Sequence, residues 1–207
     1  MAFRIELIEL VTLPPAGDFL SERELAFFET LKFPKRRNEW AGGRLALKRL
    51  AAAEADLADL KQVEVLPQES GKPLLLTGGK PVPLAYSITH GNGYAAAAVS
   101  REDRFLGIDL EKTEPRIASW ADSFFHPSEL VRRDDEFLTL LWTQKEALVK
   151  LLGTGLSLNS FDVRVVNGEA AFYGRARKLY EELGRPRVSL QTLTAPQGFV
   201  LSAALGR

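Results

Sequence analysis

The stretch Trp142-Thr143-Gln144-Lys145-Glu146-Ala147-Leu148-Val149-Lys150-Leu151-Leu152-Gly153-Thr154-Gly155-Leu156, taken with Gly107-Ile108-Asp109-Leu110-Glu111 upstream, decides how this chain is read. From Trp142 to Leu152 the apolar Trp142, Leu148, Val149 and Leu152 mix with polar residues at near-helical spacing. Gly153 and Gly155 close the run, which predicts a helix stopped by glycine. Glu146 and Lys150 then lie one turn apart on one face. Phe105 to Leu110 is apolar or β-branched with period-two interruptions and reads as a strand, so Asp109 and Glu111 project from one side. Two acids from a strand end and one from a helix are oxygen donors for a hard cation. Magnesium is usually held by one or two carboxylates plus substrate phosphates, a role that Asp109, Glu111 and Glu146 fit, with Lys150 one turn away to meet phosphate charge. Taken singly, each carboxylate reads as an ordinary solvated residue, and Glu146 with Lys150 as a surface pair four apart.

Composition bounds the rest. At 207 residues and 45% hydrophobic content, the chain can bury a sizeable core as one large domain or two small lobes, and a soluble globular protein is expected. Lys plus Arg and Asp plus Glu both number 27, so net charge gives no argument for a nucleic-acid or membrane partner, and any basic site must be local. The sequence has no cysteine, which excludes disulfides, thiolate zinc sites and a cysteine nucleophile. Met1-Ala2-Phe3-Arg4-Ile5-Glu6 carries charge where a signal peptide needs an apolar core, and no apolar run is long enough to span a bilayer, so a cytoplasmic location is expected.

Taken in order, Phe3, Ile5 and Leu7 alternate with Arg4 and Glu6 as a strand that stays apolar to Val11 before Pro14-Pro15. Ser21-Glu22-Arg23-Glu24 is a capping box opening a helix through Leu31, which Phe33-Pro34 ends. A long helix is expected from Lys35 to Leu60. Lys35, Arg36 and Arg37 crowd its start, where they oppose the helix dipole; they read as a solvated face or as charges kept for an anion. Val63–Leu66 and Leu74–Leu76 are strand-like around the turn Ser70-Gly71-Lys72-Pro73. A turn presenting Thr89 and His90 is expected before a buried strand from Ala95 to Val99. Phe124-Phe125-His126-Pro127-Ser128-Glu129-Leu130 looks like a helix start with Pro at its first position and Glu129 near a capping place, which makes His126 structural. Phe161–Val166 and Glu169–Tyr173 form a hairpin about Asn167-Gly168, and Val188–Thr192 and Phe199–Ala204 are further strands. A boundary falls near Ser100-Arg101-Glu102-Asp103, giving an N-terminal half, 1–102, and a C-terminal half, 103–207.

Gly107-Ile108-Asp109-Leu110-Glu111-Lys112-Thr113 followed by Trp142-Thr143-x-Lys145-Glu146-Ala147-x-x-Lys150-x-x-Gly153-x-Gly155-Leu156 resembles the paired signature of the 4'-phosphopantetheinyl transferases, in order, distance and chemistry. The resemblance is strong from Gly107 to Leu156 and loose outside. It implies an α+β fold of two similar lobes with pseudo-two-fold symmetry, each a small sheet packed with a long helix, with the active site between them. It implies magnesium on Asp109, Glu111 and Glu146, catalytic roles for Glu146 and Lys150, and coenzyme A as co-substrate. Arg37-x-x-Trp40-x-x-Gly43-Arg44 resembles the family's N-terminal helix, where basic residues reach the 3'-phosphate of coenzyme A, and Lys35 and Arg37 are the choices here. Gly71, Lys72 and Pro73 match the segment against the nucleotide end, and Thr89 and His90 the phosphate contacts. Thr89 stands where the family commonly has Ser, and Ser87 where it has Asn.

The implied reaction moves 4'-phosphopantetheine from coenzyme A to a serine of an apo acyl or peptidyl carrier protein, as in fatty acid, polyketide or nonribosomal peptide synthesis. Holo-carrier and 3',5'-ADP leave. A monomer suffices, since both lobes lie in one chain. The alternative is a non-catalytic coenzyme A or carrier-protein binding module with the same fold, against which the intact Asp109, Glu146 and Lys150 argue. Other phosphate chemistry lacks support: Gly78-Gly79-Lys80 runs into Pro81 instead of Ser or Thr, and no dinucleotide-binding glycine fingerprint or Gly-x-Ser-x-Gly elbow occurs.

Overall fold

The computed structural model describes residues 3–68, 71–153 and 158–207. Ser70, Gly155 and Leu156, which the sequence motifs include, lie outside the described residues. The chain divides into two compact units, Met1–Glu102 and Asp103–Arg207.

The first unit runs β1 (Phe3–Glu9), α1 (Glu22–Thr30), α2 (Pro34–Glu54), β2 (Val63–Leu66), β3 (Leu74–Thr77), β4 (Lys80–Pro81), β5 (Ala85–Gly91) and β6 (Tyr94–Ser100). The capping box that opens α1 is complete: Ser21 Oγ accepts from the Glu24 N–H at 3.3 Å, and Glu24 Oε2 accepts from the Ser21 N–H at 2.9 Å. Pro34 takes the first position of α2, where the missing N–H costs nothing. This helix ends at Glu54 and not near Leu60, because Asp56 turns left-handed (φ +54°) and the Leu57 N–H bonds back to the Ala52 carbonyl at 2.9 Å. Residues Leu60–Gln62 form a 3-10 turn instead.

The main sheet is antiparallel in the order β1-β6-β5, and a smaller sheet has the order β2-β3-β4. Helix α2 lies across the main sheet, with Trp40, Leu45, Leu47 and Leu50 buried against Ala97 and Val99. Its approach is close: a side chain at Gly43 would stand 2.6 Å from Ile88 Cγ2. The tight turn of the β5–β6 hairpin is Asn92-Gly93, both at positive φ, which moves Thr89 and His90 off the expected turn and onto β5.

The second unit runs β7 (Phe105–Lys112), α3 (Ala118–Phe124), α4 (Asp135–Leu151), β8 (Val163–Val166), β9 (Glu169–Phe172), α5 (Gly174–Glu182), β10 (Val188–Leu193) and β11 (Phe199–Gly206). Its main sheet has the order β10-β11-β7, and β8 pairs with β9. The two units share one plan. In each, the first strand pairs with the last, the last with the one before it, and the long helix packs on that sheet. Leu138, Leu141, Leu148 and Leu151 of α4 fill the second core. Truncating the fully buried Leu47 or Leu148 to alanine would cost about 2–5 kcal/mol.

Helix α4 begins seven residues before Trp142. Asp134 caps it by accepting from the Phe137 N–H at 3.1 Å, a start signal upstream of the motif. The helix stops as expected at glycine: Gly153 has φ +77° and its N–H bonds to the Lys150 carbonyl at 3.0 Å. The element before α4 is shorter than expected, a 3-10 turn Pro127–Glu129 with His126 at its cap. No helix of the described residues is long and apolar enough to cross a membrane.

Candidate active site in the C-terminal unit

The site begins with a missing side chain. Gly107 is buried where β7 runs against α4, and a Cβ there would collide with the Ala147 carbonyl oxygen and stand 2.6 Å from the Leu151 N. Only hydrogen lets strand and helix backbones meet this closely. Two residues along β7, Asp109 therefore comes beside α4: Lys150 Nζ donates to Asp109 Oδ1 at 2.8 Å and to the Ile108 carbonyl at 2.9 Å. The Asp109 side chain is 8% exposed, which leaves the pair with far less solvent screening than a surface salt bridge has.

Glu111 and Glu146 lie within electrostatic reach of this pair. Burial raises the Glu146 carboxyl to about 7, and the Asp109 charge raises it too; Lys150 opposes both, Glu111 adds to the rise and Lys145 relieves it. Glu111 is also pushed above the usual carboxylate range, first by burial and then by Asp109, while a hydrogen bond from the Trp142 side chain and the charges of Arg116 and Lys150 pull it back. Asp109 and Glu111 raise the proton affinity of Glu146, and Asp109 that of Glu111, and the three carboxylates offer oxygen donors only. A divalent cation would relieve their repulsion, so by chemistry the set fits magnesium. Among the described residues no three His, Cys, Asp or Glu side chains are gathered closely enough to hold a metal ion as they stand.

The sequence gives no site role to Trp142 or Lys145, and Glu129 only a capping place, which it fills at His126. Lys145 is buried and donates to both carboxylate oxygens of Glu129, at 3.1 and 3.0 Å, and to the Phe124 carbonyl at 2.9 Å. The signal was present in the motif, where a lysine stands three residues after the tryptophan. What hid it is that Glu129, its partner, is sixteen residues away. His126 is structural as expected: Nδ1 accepts from the Ser128 N–H at 3.2 Å, and the His126 N–H donates to Glu129 Oε2 at 2.8 Å.

The basic residues of the first unit divide. Lys35 is exposed, its Nζ 3.8 Å from Glu39 Oε1, and His90 Nδ1 lies 3.8 Å from Glu39 Oε2, so Glu39 gathers these two. Arg37, expected at an anion, has neutral partners within the unit: it donates through Nε to the Leu31 carbonyl at 2.6 Å and through NH2 to the Glu29 carbonyl at 3.1 Å. It satisfies carbonyls at the end of α1, a task invisible until α1 and α2 pack. Gly71 has φ +86°, Lys72 Nζ lies 4.8 Å from the Tyr86 ring centroid, and the Pro73 carbonyl accepts from Tyr86 Oη at 2.6 Å. Thr89 and His90 are neighbours on a strand and so face opposite ways, Thr89 buried and His90 toward α2 and Glu39. Arg44 is buried over Trp40 with its guanidinium carbon 3.4 Å from the ring centroid and its Nε without a hydrogen-bond partner. Burial lowers its pKa to about 9, Glu24 raises it and Arg36 lowers it further.

The second unit is thus an α+β element that sets three carboxylates and a lysine around one strand end. Residues 105–201 match the family model of the 4'-phosphopantetheinyl transferase superfamily. Through these residues the chain is similar to that superfamily. A 4'-phosphopantetheinyl transferase of Bacillus subtilis is 33% identical over 129 residues, 58% of this chain and 55% of that protein. The 4'-phosphopantetheinyl transferase Sfp of Bacillus subtilis strain 168 is 33% identical over 117 residues, 52% of this chain and 50% of Sfp. The chain spans about half the length of these curated relatives. A crystal structure of a holo-(acyl-carrier-protein) synthase from Bacillus anthracis, in complex with CoA (3',5'-ADP), matches 47% of this chain and 92% of its own at 27% identity and a TM-score of 0.41.

Proposed function

We propose that this protein transfers 4'-phosphopantetheine from coenzyme A to a serine hydroxyl of an apo carrier protein, releasing 3',5'-ADP. The observation that carries the reading is the Asp109–Lys150 pair beside Glu111 and Glu146, inside the stretch that matches the family.

Asp109, Glu111 and Glu146 would hold magnesium. Bound there, the ion supplies charge neutralisation for the pyrophosphate oxygens. Lys150, held by Asp109, offers its ammonium to the phosphate from which 3',5'-ADP departs. The serine oxygen forms a bond to the phosphorus bearing the pantetheine arm, the bond from that phosphorus to the bridging oxygen breaks, and the serine proton passes to a base. Glu146 is the candidate, because a carboxylate at the site can sit within reach of the incoming hydroxyl. As in other phosphoryl transfers, the protein's contribution is positioning and charge. In the first unit, Lys35, Lys72 and the buried Arg44 are the cations, and His90 the imidazole, offered to coenzyme A's phosphates, with Gly71 and Pro73 shaping the approach; Thr89 supports the strand and Arg37 supports α1.

The test is the intact mass of an apo acyl carrier protein, and separately a peptidyl carrier domain, after incubation with this protein, coenzyme A and magnesium, with and without chelator. The expected result is a chelator-sensitive gain of one phosphopantetheine. Coenzyme A binding without a gain on either carrier would replace transfer by the binding-module reading.

A further inference from the structure

Glu129 joins three elements at one carboxylate. Its Oε2 accepts from the His126 N–H, its Oε1 accepts from the Val165 N–H of β8 at 2.9 Å, and both receive Lys145 of α4. The side chains are 0% and 2% exposed. A charge pair so deeply buried carries a large desolvation cost and is a weak source of stability; what it supplies is a fixed arrangement.

The first unit contains the same construction. Glu24 accepts from the Ser21 N–H of its own capping box, from the Val65 N–H of β2 at 2.9 Å, and from Lys48 of α2, with both side chains fully buried. Val65 and Val165 are each the third residue of their strand. The difference lies one residue on. After Lys48 comes Arg49, which forms a surface pair with Glu6 at 3.0 Å. After Lys145 comes Glu146.

We infer that Lys145 and Glu129 are positioning residues for the proposed site: they fix the rotation of α4, so that Glu146 faces the Asp109–Lys150 pair. The inference rests on the proposed reading of the site. Its leverage follows from helix geometry. A carboxylate about 6 Å from the helix axis moves about 1 Å for a rotation of about 10°, and a misplacement of that size can cost on the order of 100-fold in rate. The Glu24–Lys48 pair, followed by Arg49 where the second unit has Glu146, is the control that the molecule itself supplies.

The experiment compares Lys145→Met, the double variant Glu129→Leu/Lys145→Met and Lys48→Met with the wild type. It measures carrier-loading kcat and KM for coenzyme A, urea unfolding, and Mn2+ binding by the EPR signal of the free ion. The expected result for Lys145→Met is a kcat loss of about 10- to 100-fold and Mn2+ affinity weakened about tenfold, with KM for coenzyme A changed less than threefold. The double variant regains folding stability but not kcat or Mn2+ affinity, because its leucine cannot hold the His126 and Val165 N–H groups. Lys48→Met keeps kcat and Mn2+ affinity within twofold wherever it is folded. Wild-type kcat and Mn2+ affinity in folded Lys145→Met, or their return with stability in the double variant, would overturn the inference. A wild type that binds Mn2+ but loads no carrier defeats the transferase reading alone, and the Mn2+ comparison then decides this one. A wild type that binds no Mn2+ defeats both.

Discussion

Gly107→Ala places one methyl group where β7 meets α4. The new Cβ would stand 2.6 Å from the Leu151 N and overlap the Ala147 carbonyl oxygen, where ordinary contact begins at 3.4 Å. Both obstacles are backbone, so no rotamer change relieves them, and α4 must move away from the strand by about an ångström or more. Overpacking of this kind costs about 1–3 kcal/mol, offset by about 0.4–1 kcal/mol from the lost flexibility of glycine in the unfolded chain. For a protein of this size each kcal/mol lowers Tm by about 2–4 °C. The larger effect falls on the site, because the displaced helix carries both Glu146 and Lys150 while Asp109 stays on the strand. The Lys150–Asp109 bond of 2.8 Å is lost or remade at the wrong place, and kcat falls by about 100-fold, the cost of roughly 1 Å of misplacement. Carrier loading at saturating coenzyme A, alongside a melting curve, reads both numbers. A folded Gly107→Ala protein with kcat within threefold of wild type would refute the claim that this close approach sets the site.

Three further outcomes follow from the same geometry. Glu146 binds a proton more tightly in the folded chain (about 7) than its ordinary value of 4.5, so the metal-free fold loses stability as pH rises from about 5 to 8. The loss is about 2 kcal/mol after allowance for solvent screening; urea unfolding in chelator should show that slope, and Glu146→Gln should flatten it while abolishing transfer. Arg37→Ala strips two carbonyl contacts from α1 and should cost about 1 kcal/mol with little change in KM for coenzyme A, whereas Lys35→Ala should raise that KM and leave the melting temperature alone. The opposite pattern would return Arg37 to the anion site. Chelation should stop carrier loading and readdition of magnesium should restore it, followed by intact mass; loading that persists in chelator would remove the metal from the scheme.

The C-terminal half was legible because its chemistry is compressed into two local motifs. Asp109 and Glu111 share a face through strand period, and Glu146 and Lys150 through helix period, so each pair could be placed without knowing the fold. The glycine stop at Gly153 and the capping box at Ser21 are equally local and stand where the sequence puts them. The end of α2 was not legible, because the run after Glu54 stays compatible with a helix and a left-handed Asp56 leaves no periodic mark. Thr89 and His90 were misplaced by one hairpin position, since Gly91, Asn92 and Gly93 all read as turn residues and only strand pairing selects among them.

From the sequence alone came the division near residue 102 and the faces that Asp109, Glu111, Glu146 and Lys150 share, because these depend on short-range periodicity, while the α+β class came through the resemblance carried by a two-part motif. The tertiary structure alone decided that Lys150 is held by Asp109 across forty-one residues, that Arg37 serves the end of α1, and that Lys145 and Glu129 form a buried pair built a second time from Lys48 and Glu24. The physical reason is the same for each. A side chain's partner is fixed by which backbones can approach and what is left to satisfy once they are buried, and Gly107, the permission for one such approach, is in the sequence only a residue without a side chain.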